Sequence, residues 1–499
     1  MNARPSPGDW LRVPTRSEAQ EASRRSTGSS AVLVCLAFFA LVASPLPYLL
    51  RFDHDHYVTA AILILCLTGC AFYSRAGAIA ATLLFLSVLG DYRRYAGYLE
   101  GYPKNDALLL VAPAVAAILI VQTLLESRRS PRTPLTWLIF ALMALMSVEM
   151  FNPEQGDLQV GVAGALFYVA PLMWFWVGRA YATPQLARTF TLLLVAVGCA
   201  AMALGLYQVR YGLLPFEQQW VEQIGYSALY LADDVIRAIG FFNSSAEYQR
   251  YLILATAALA ALWFARRSRL ALMIPLFLLA IFLSAARGPV VMVLLSVSIV
   301  WSLSARRLSM WLPRLLVAAV AGVALLVGLL TVLQNSSAGD RIAPVVERQV
   351  SGLLDPTNAE KSTATGHLAM LEEGLLTGIT SPAGLGLGAT TEAAQKYGSR
   401  TLNAEVDIAN VMISVGVLGG LLYVSIVAVV LWRSVGWWRR TRSAEALVAV
   451  GILFGTLGGW LIGGEYSVAA LIWFQIGLMD RLSGPQHGST AVAHRARHA

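Results

Sequence analysis

The sequence predicts an all-α, polytopic integral membrane protein, and three observations carry that expectation. The 499 residues are 57% hydrophobic and only 13% charged, with a mean hydropathy of +0.62; soluble globular chains carry about twice that charged fraction. Apolar runs long enough to cross a hydrocarbon core of ~30 Å, which takes about 20 helical residues, recur along nearly the whole length. The basic residues fall between those runs, so the formal net charge of +8 points to membrane orientation and not to nucleic acid.

Taken in order, the chain opens on polar residues. The first apolar run begins too late for a cleaved signal peptide, so residues 1–30 are expected to be a disordered cytoplasmic tail. Spans are expected near 31–50, 57–73, 76–90, 106–125, 134–150, 161–178, 188–208 and 247–264. Further spans follow near 270–286, 288–303, 314–333, 407–431, 444–462 and 467–480, giving about 12–14 in all. The organisation is a transmembrane bundle of about 11 spans over 31–333, a large outer loop at 334–406, C-terminal transmembrane helices over 407–480 and a cytoplasmic tail at 481–499.

Placing the N-terminus inside puts most of the 37 Lys and Arg on the cytoplasmic side. Arg128, Arg129 and Arg132, then Arg266, Arg267 and Arg269, then Arg306 and Arg307, then Arg433, Arg439, Arg440 and Arg442 all land in short inner connections, where the positive-inside bias acts most strongly. Both termini are then cytoplasmic. Most of the 29 acids fall outside, a larger asymmetry than orientation requires.

Three outer connections exceed a simple turn: 91–105, 209–246 and 334–406. The last spans about 70 residues, a length that in compact proteins is usually functional or disordered. Its composition argues against disorder, since it holds Leu353, Leu354, Leu368, Met370, Leu371, Leu375 and Leu376. Residues 363–377 read as an amphipathic helix with Leu368, Leu371 and Leu375 on one face, expected to lie on the membrane surface and roof a cavity.

Gly384, Gly386 and Gly388 in PAGLGLG imitate a nucleotide loop, but no strand precedes them and no GK[ST] follows, so they read as a tight turn. His54 and His56 in DHDH read as a solvated loop, and no HExxH occurs. Cys35, Cys66, Cys70 and Cys199 all fall inside apolar runs and read as core or lipid-facing residues. No metal site is expected.

The informative residues are ionisable groups on the outer side. Arg287 in FLSAARGP sits between two apolar spans, where a charge is costly unless it snorkels or faces a cavity or partner. Arg237 in DDVIRAIGFFNSSAEY is similarly placed, and two such arginines can grip one phosphate group in bidentate fashion. Glu405 and Asp407 stand where the large loop enters the twelfth span; Asp407 shares a helix face with Asn410, and the pair reads either as a helix cap or as a general base. Asp355, Glu360, Glu372 and Glu373 read as solvated loop acids.

Four stretches taken together have a familiar order: RAIGFFNSSAEYQRYL, FLSAARGPVVMVLL, STATGHLAMLEEGLLTGITSPAGLGLGATTE and AEVDIANVMISVGVLGGLLY. Covering roughly residues 235–425, they resemble the bacterial O-antigen ligase and polysaccharide polymerase (Wzy-type) superfamily of membrane glycosyltransferases. The resemblance implies a multi-pass protein of the bacterial inner membrane that transfers a glycan from an undecaprenyl-diphosphate carrier to an acceptor hydroxyl on the periplasmic side, with no cofactor and no metal. It implies that Arg237 and Arg287 hold the diphosphate and stabilise the charge that develops as it leaves, helped by Arg341, Arg348 or Arg400 of the large loop. Glu405 stands where family ligases carry a His, a departure that favours a polymerase; Glu405 or Asp407 would orient the attacking hydroxyl. His367 stands where a family Arg is expected and is a further phosphate contact. The implied partners are the lipid-linked glycan, membrane lipid and other polysaccharide export proteins, with no nucleic acid. Two alternatives remain: ligase-type transfer to lipid A core or protein, and a flippase or transporter for lipid-linked glycans. Against the last stand the absence of an evident internal repeat and the expectation that charges cluster at the outer lip.

Overall fold

The computed structural model describes residues 16–50, 56–126, 131–226, 229–232, 235–305, 307–334, 343–354, 364–397, 402, 406–461 and 465–484. Its helices run α1 (Arg16–Ala43), α2 (Leu46–Leu49), α3 (His56–Tyr73), α4 (Arg75–Glu100), α5 (Val111–Leu125), α6 (Pro134–Glu149), α7 (Leu158–Ala180), α8 (Pro184–Tyr211) and α9 (Pro215–Ile224). A two-stranded antiparallel hairpin, β1 (Tyr230–Ala232) and β2 (Val235–Ile236), comes next. Then follow α10 (Ser245–Arg266), α11 (Ile274–Leu283), α12 (Arg287–Leu303), α13 (Trp311–Gln334), α14 (Ala343–Leu354), α15 (Ala364–Thr380), α16 (Glu392–Lys396), α17 (Asp407–Thr441), α18 (Ala444–Gly455) and α19 (Tyr466–Leu482).

The protein is an all-α polytopic membrane protein. Among the described residues, seven helical segments are long and apolar enough to cross a bilayer: Ser29–Leu49, His56–Tyr73, Arg75–Glu100, Ala107–Leu125, Leu158–Ala180, Pro184–Tyr211 and Asp407–Thr441. Shorter apolar helices lie at Pro134–Glu149, Arg269–Leu283, Arg287–Leu303, Trp311–Gly322 and Ala444–Gly455. Thr133 before Pro134 and Thr183 before Pro184 start two of these helices, each Thr accepting a bond from an amide three residues on while the Pro occupies a position with no amide to satisfy. Helix α10 is buried on every side from Tyr251 to Ala261 and α19 from Tyr466 to Asp480, as befits helices at the centre of a bundle. Helices α7 and α19 approach so closely that a Cβ at Gly178 would collide with the Phe474 carbonyl, and one at Gly477 with that of Phe175.

Polar contacts distinguish the two ends of the bundle. At the end with short turns, Asp480 accepts from Thr133 (3.0 Å) and Arg179 (2.6 Å) and pairs with Arg433 (3.0 Å), while Arg266 pairs with Glu445. The opposite end, here the loop end, carries the hairpin, α9 and α14–α16.

Several expectations change. Helix α1 already runs from Arg16, so the expected tail boundary at residue 30 falls within a helix. Helix α4 extends to Glu100, ten residues past the expected span end at 90, because Arg93 and Arg94 find polar partners instead of ending it. His56 is buried and its Nδ1 lies 3.0 Å from Asp106 Oδ1, so it is not a solvated loop residue. The amphipathic helix exists as α15, but Leu368 is exposed; Leu371 and Leu375 are half-buried, and Gly378 approaches Met412.

The largest change concerns α17. At Gly416 the backbone has φ 76° and ψ −174°, outside the helical region. The Asp407 carboxylate nevertheless accepts from the Tyr423 hydroxyl, 16 residues on; in one straight helix those residues would be about 24 Å apart at 1.5 Å per residue. The element is therefore a helical hairpin. A short arm, 407–415, lies back against the beginning of the long arm, 417–441, with Met412 and Ile408 filling the space over Gly420. The expected single span at 407–431 becomes a re-entrant arm followed by a longer crossing.

Candidate functional site at the loop end

The first turn of α10 is the hub of this end. Ser244 caps the helix by accepting from the Glu247 amide (3.1 Å). Asn243 accepts from Arg93 of α4 (3.2 Å). Glu247, buried, accepts from the amides of Ser467 (3.0 Å), Val468 (3.4 Å) and Asn243 (3.3 Å), which pins α19 to α10. Gln249 donates to the Ser284 carbonyl (3.2 Å), reaching the turn between α11 and α12. Arg250 donates to the Gly459 carbonyl (2.7 Å) and lies 2.8 Å from Glu465 Oε2.

Two further buried carboxylates, Asp407 and Glu465, lie near the Arg250 guanidinium, and Glu465 also neighbours Glu247, whose own cationic neighbour is Arg93. Asp407 accepts from the Leu461 amide (3.0 Å), the Trp460 amide and the Tyr423 hydroxyl, so it ties the re-entrant arm to the connector between α18 and α19. Glu465 lies in that connector, just before α19. Burial pushes its carboxyl up to about 7; Arg250 opposes the rise, while Glu247 and Asp407 reinforce it.

Beside the hub lies an arginine lip. Arg287 begins α12 directly after a tight turn in which Ala285, a residue with a Cβ, holds φ 60°. Arg287 Nη2 donates to the carbonyl of Arg348 on α14 (2.6 Å). Helix α14 is locked to this turn by Gln349, whose side chain donates to the carbonyls of Phe282 (2.8 Å) and Ala286 (3.3 Å). Arg237 follows β2, its amide donating to Leu229 (2.9 Å), and β1 packs on the same α14. The hairpin bearing Arg237 and the turn bearing Arg287 thus share one neighbour, which itself carries Arg348. His367 is exposed on α15. Arg341, Arg400 and Glu405 lie outside the described residues.

On the far side of α10 is a second group of cations. Arg93 pairs with Asp106, which also bonds His56; although burial opposes it, the charge of Arg93 and these bonds hold the Asp106 carboxyl well below the usual carboxylate range. Lys396 donates to Asn105 (2.8 Å) and stands near Lys104, the two ammonium groups 5.5 Å and 5.9 Å from the Tyr397 ring. Burial and the neighbouring charges of Lys104 and Arg93 lower the Lys396 ammonium.

Sequence reasoning selected the stretch containing the hub but singled out only Arg237 in it. It passed over Arg93, Glu247, Arg250 and Glu465. The available signal was the cost of an ionisable group inside or flanking an apolar span, which applies to Glu247 and Arg250 in AEYQRYLILATAA and to Glu465 in GGEYSVAALIWF. Chemically, the arrangement offers guanidinium groups for an oxyanion at the lip and, at the hub, a buried carboxyl that its surroundings make a weaker acid. Among the described residues no three His, Cys, Asp or Glu side chains are grouped to hold a metal ion. Comparison with protein-family models and with curated proteins finds no match to this chain.

Proposed function

We propose that the chain is a polysaccharide polymerase of the bacterial inner membrane, transferring glycan repeat units from an undecaprenyl-diphosphate carrier to an acceptor sugar hydroxyl on the periplasmic side. In this reading α1, α3–α8, α10–α13 and α17–α19 make about fourteen crossings, with both termini cytoplasmic and the loop end outside. The observation that carries the reading is the meeting of Arg287 with Arg348 of the large loop, on the helix that also packs against the hairpin before Arg237. Concentrated guanidinium groups at a bilayer boundary suit a lipid diphosphate, whose charge grows as the glycosyl bond breaks.

Arg237, Arg287 and Arg348 hold the diphosphate, with Arg341, Arg400 and His367 as further contacts from the large loop. Glu405 or Asp407 orients the attacking hydroxyl, and in-line attack at the anomeric carbon inverts it. The free energy for transfer resides in the diphosphate linkage, so no nucleotide sugar enters the step.

The test is polymer output in a strain lacking this gene, complemented with wild type, Arg287→Ala or Glu405→Gln, with lipid-linked single repeats resolved from long chains on a gel. The expected result is accumulation of single repeats in both variants at normal membrane levels, with Arg287→Ala reducing chain formation by roughly 10²-fold or more. Full-length polymer from both variants removes these residues from the site. Long chains left on the carrier lipid indicate ligase-type transfer instead.

One observation favours a second reading. The broken helix α17 and the buried Glu247, Arg250 and Glu465 resemble the discontinuous helices and intramembrane charges of transporters. A flippase would leave single repeats on the cytoplasmic leaflet when deleted, and leaflet-specific labelling of the lipid-linked repeat separates the two.

A further inference from the structure

The three buried carboxylates Glu247, Asp407 and Glu465 are not equivalent. Glu247 accepts from three backbone amides, and Asp407 from two amides and a phenol. An amide keeps its proton, so each of these bonds favours the ionised form of the carboxylate that accepts it. Glu465 lacks such a cradle. Its Oε2 is held by an ion pair with Arg250 Nη1 (2.8 Å), a nitrogen that also donates to the Gly459 carbonyl, and among the described residues no backbone amide reaches it. Two residues on, the Ser467 hydroxyl is buried with no partner among the described residues. A carboxylate held by one shared guanidinium nitrogen and, two residues on, a buried hydroxyl with no partner mark a place for a small polar group that the fold itself does not supply.

We infer that Glu465 is the proton-exchanging group of this centre, taking a proton from a hydroxyl or water bound beside Ser467 and returning it to solvent. The identity of the donor rests on the transfer reading. In that reading the attacking sugar hydroxyl gives its proton to the Glu465 carboxylate as its oxygen forms the new bond to the anomeric carbon. The bond from that carbon to the diphosphate oxygen breaks, its electron pair leaves with the diphosphate, and Glu465 then releases the proton to water. The charged and titratable groups facing Glu465 are Glu247 and Arg250 from α10, Asp407 and Tyr423 from α17, and, through Glu247, Arg93 from α4. Of these three carboxylates only Glu465, among the described residues, lacks backbone amide donors.

The experiment is infrared difference spectroscopy of the full chain in lipid nanodiscs between pH 5 and pH 9, following the carbonyl stretch of protonated carboxylic acids, in parallel with polymer formation across the same range. The expected result is a band that titrates near neutral pH, is lost in Glu465→Gln and shifts its midpoint in Glu465→Asp. Glu465→Gln should lower glycan transfer by roughly 10²–10⁴-fold, the usual scale of general-base catalysis, and Glu465→Asp should retain activity with a displaced pH profile. Glu465→Asp carries the test if Glu465→Gln does not accumulate. A band unchanged in either variant, or Glu465→Gln polymer output with a wild-type pH profile, overturns the assignment. If wild-type protein shows the Glu465-dependent band but transfers no glycan, the proton site stands and the transfer reading fails.

Discussion

Asp407 shows how a single side chain can be legible in one respect and hidden in another. Its position at the entry to an apolar run identifies a helix start, and the start is there. Its partners were beyond reach, because Trp460 and Leu461 lie 53 and 54 residues away and no local pattern couples them. Replacing Asp407 with Ala leaves two buried amides and a buried phenol unpaired, at about 1–3 kcal/mol for each unsatisfied group. Asp407→Ala is therefore expected to lower the thermal unfolding midpoint in detergent markedly, and Asp407→Asn to lower it less, since an amide oxygen can still accept. If both variants unfold like wild type, the carboxylate does not hold the arm. Arg250 and Glu465 were missed for a different reason: they lie 215 residues apart, and only their meeting across the bundle reveals a pair.

Among elements, the apolar helices were read well because a membrane imposes a length and a composition on every crossing. What composition does not encode is a break. The sequence VGVLGG around Gly416 is ordinary for a membrane helix, where glycine is common, so the re-entrant arm read as part of one span. The backbone at Gly416, at φ 76° and ψ −174°, belongs to a region that essentially only glycine occupies, and a Cβ there would collide with the Pro382 carbonyl. Gly416→Ala is expected to cost at least about 1–3 kcal/mol from backbone conformation alone, and to separate the arm from the turn at Pro382. Thermal unfolding in detergent together with hydrogen exchange of the amides of the short arm, 407–415, reads both effects. Retention of wild-type stability and protection would mean the hairpin forms without a glycine at its hinge. The large loop was legible as structured, and one of its three described helices was placed to within a few residues. Its docking was not, since Gln349 reaches back 67 residues to Phe282.

For the whole molecule, the arrangement of two ends carries the functional reading, because a glycan carrier exposed outside the membrane needs its diphosphate site on that same side. The arginine-rich short turns argue for an inside face, and the long connections gather at the other end with the arginine lip and the three buried carboxylates. The four native cysteines all lie within helices, three of them buried, which leaves a low background for labelling with a membrane-impermeant maleimide. Glu373→Cys places a thiol on the exposed side of α15, and Arg269→Cys places one in the turn before α11 at the opposite end. In intact spheroplasts Glu373→Cys is expected to label and Arg269→Cys to label only after permeabilisation. The reverse pattern would turn Arg237, Arg287 and Glu465 toward the cytoplasm, where a lipid-linked repeat is assembled and not polymerised; a cytoplasmic-side function would then have to account for the same buried centre. Labelling of both sites in intact cells would show that the two ends are not separated by a bilayer in the way the helix order requires.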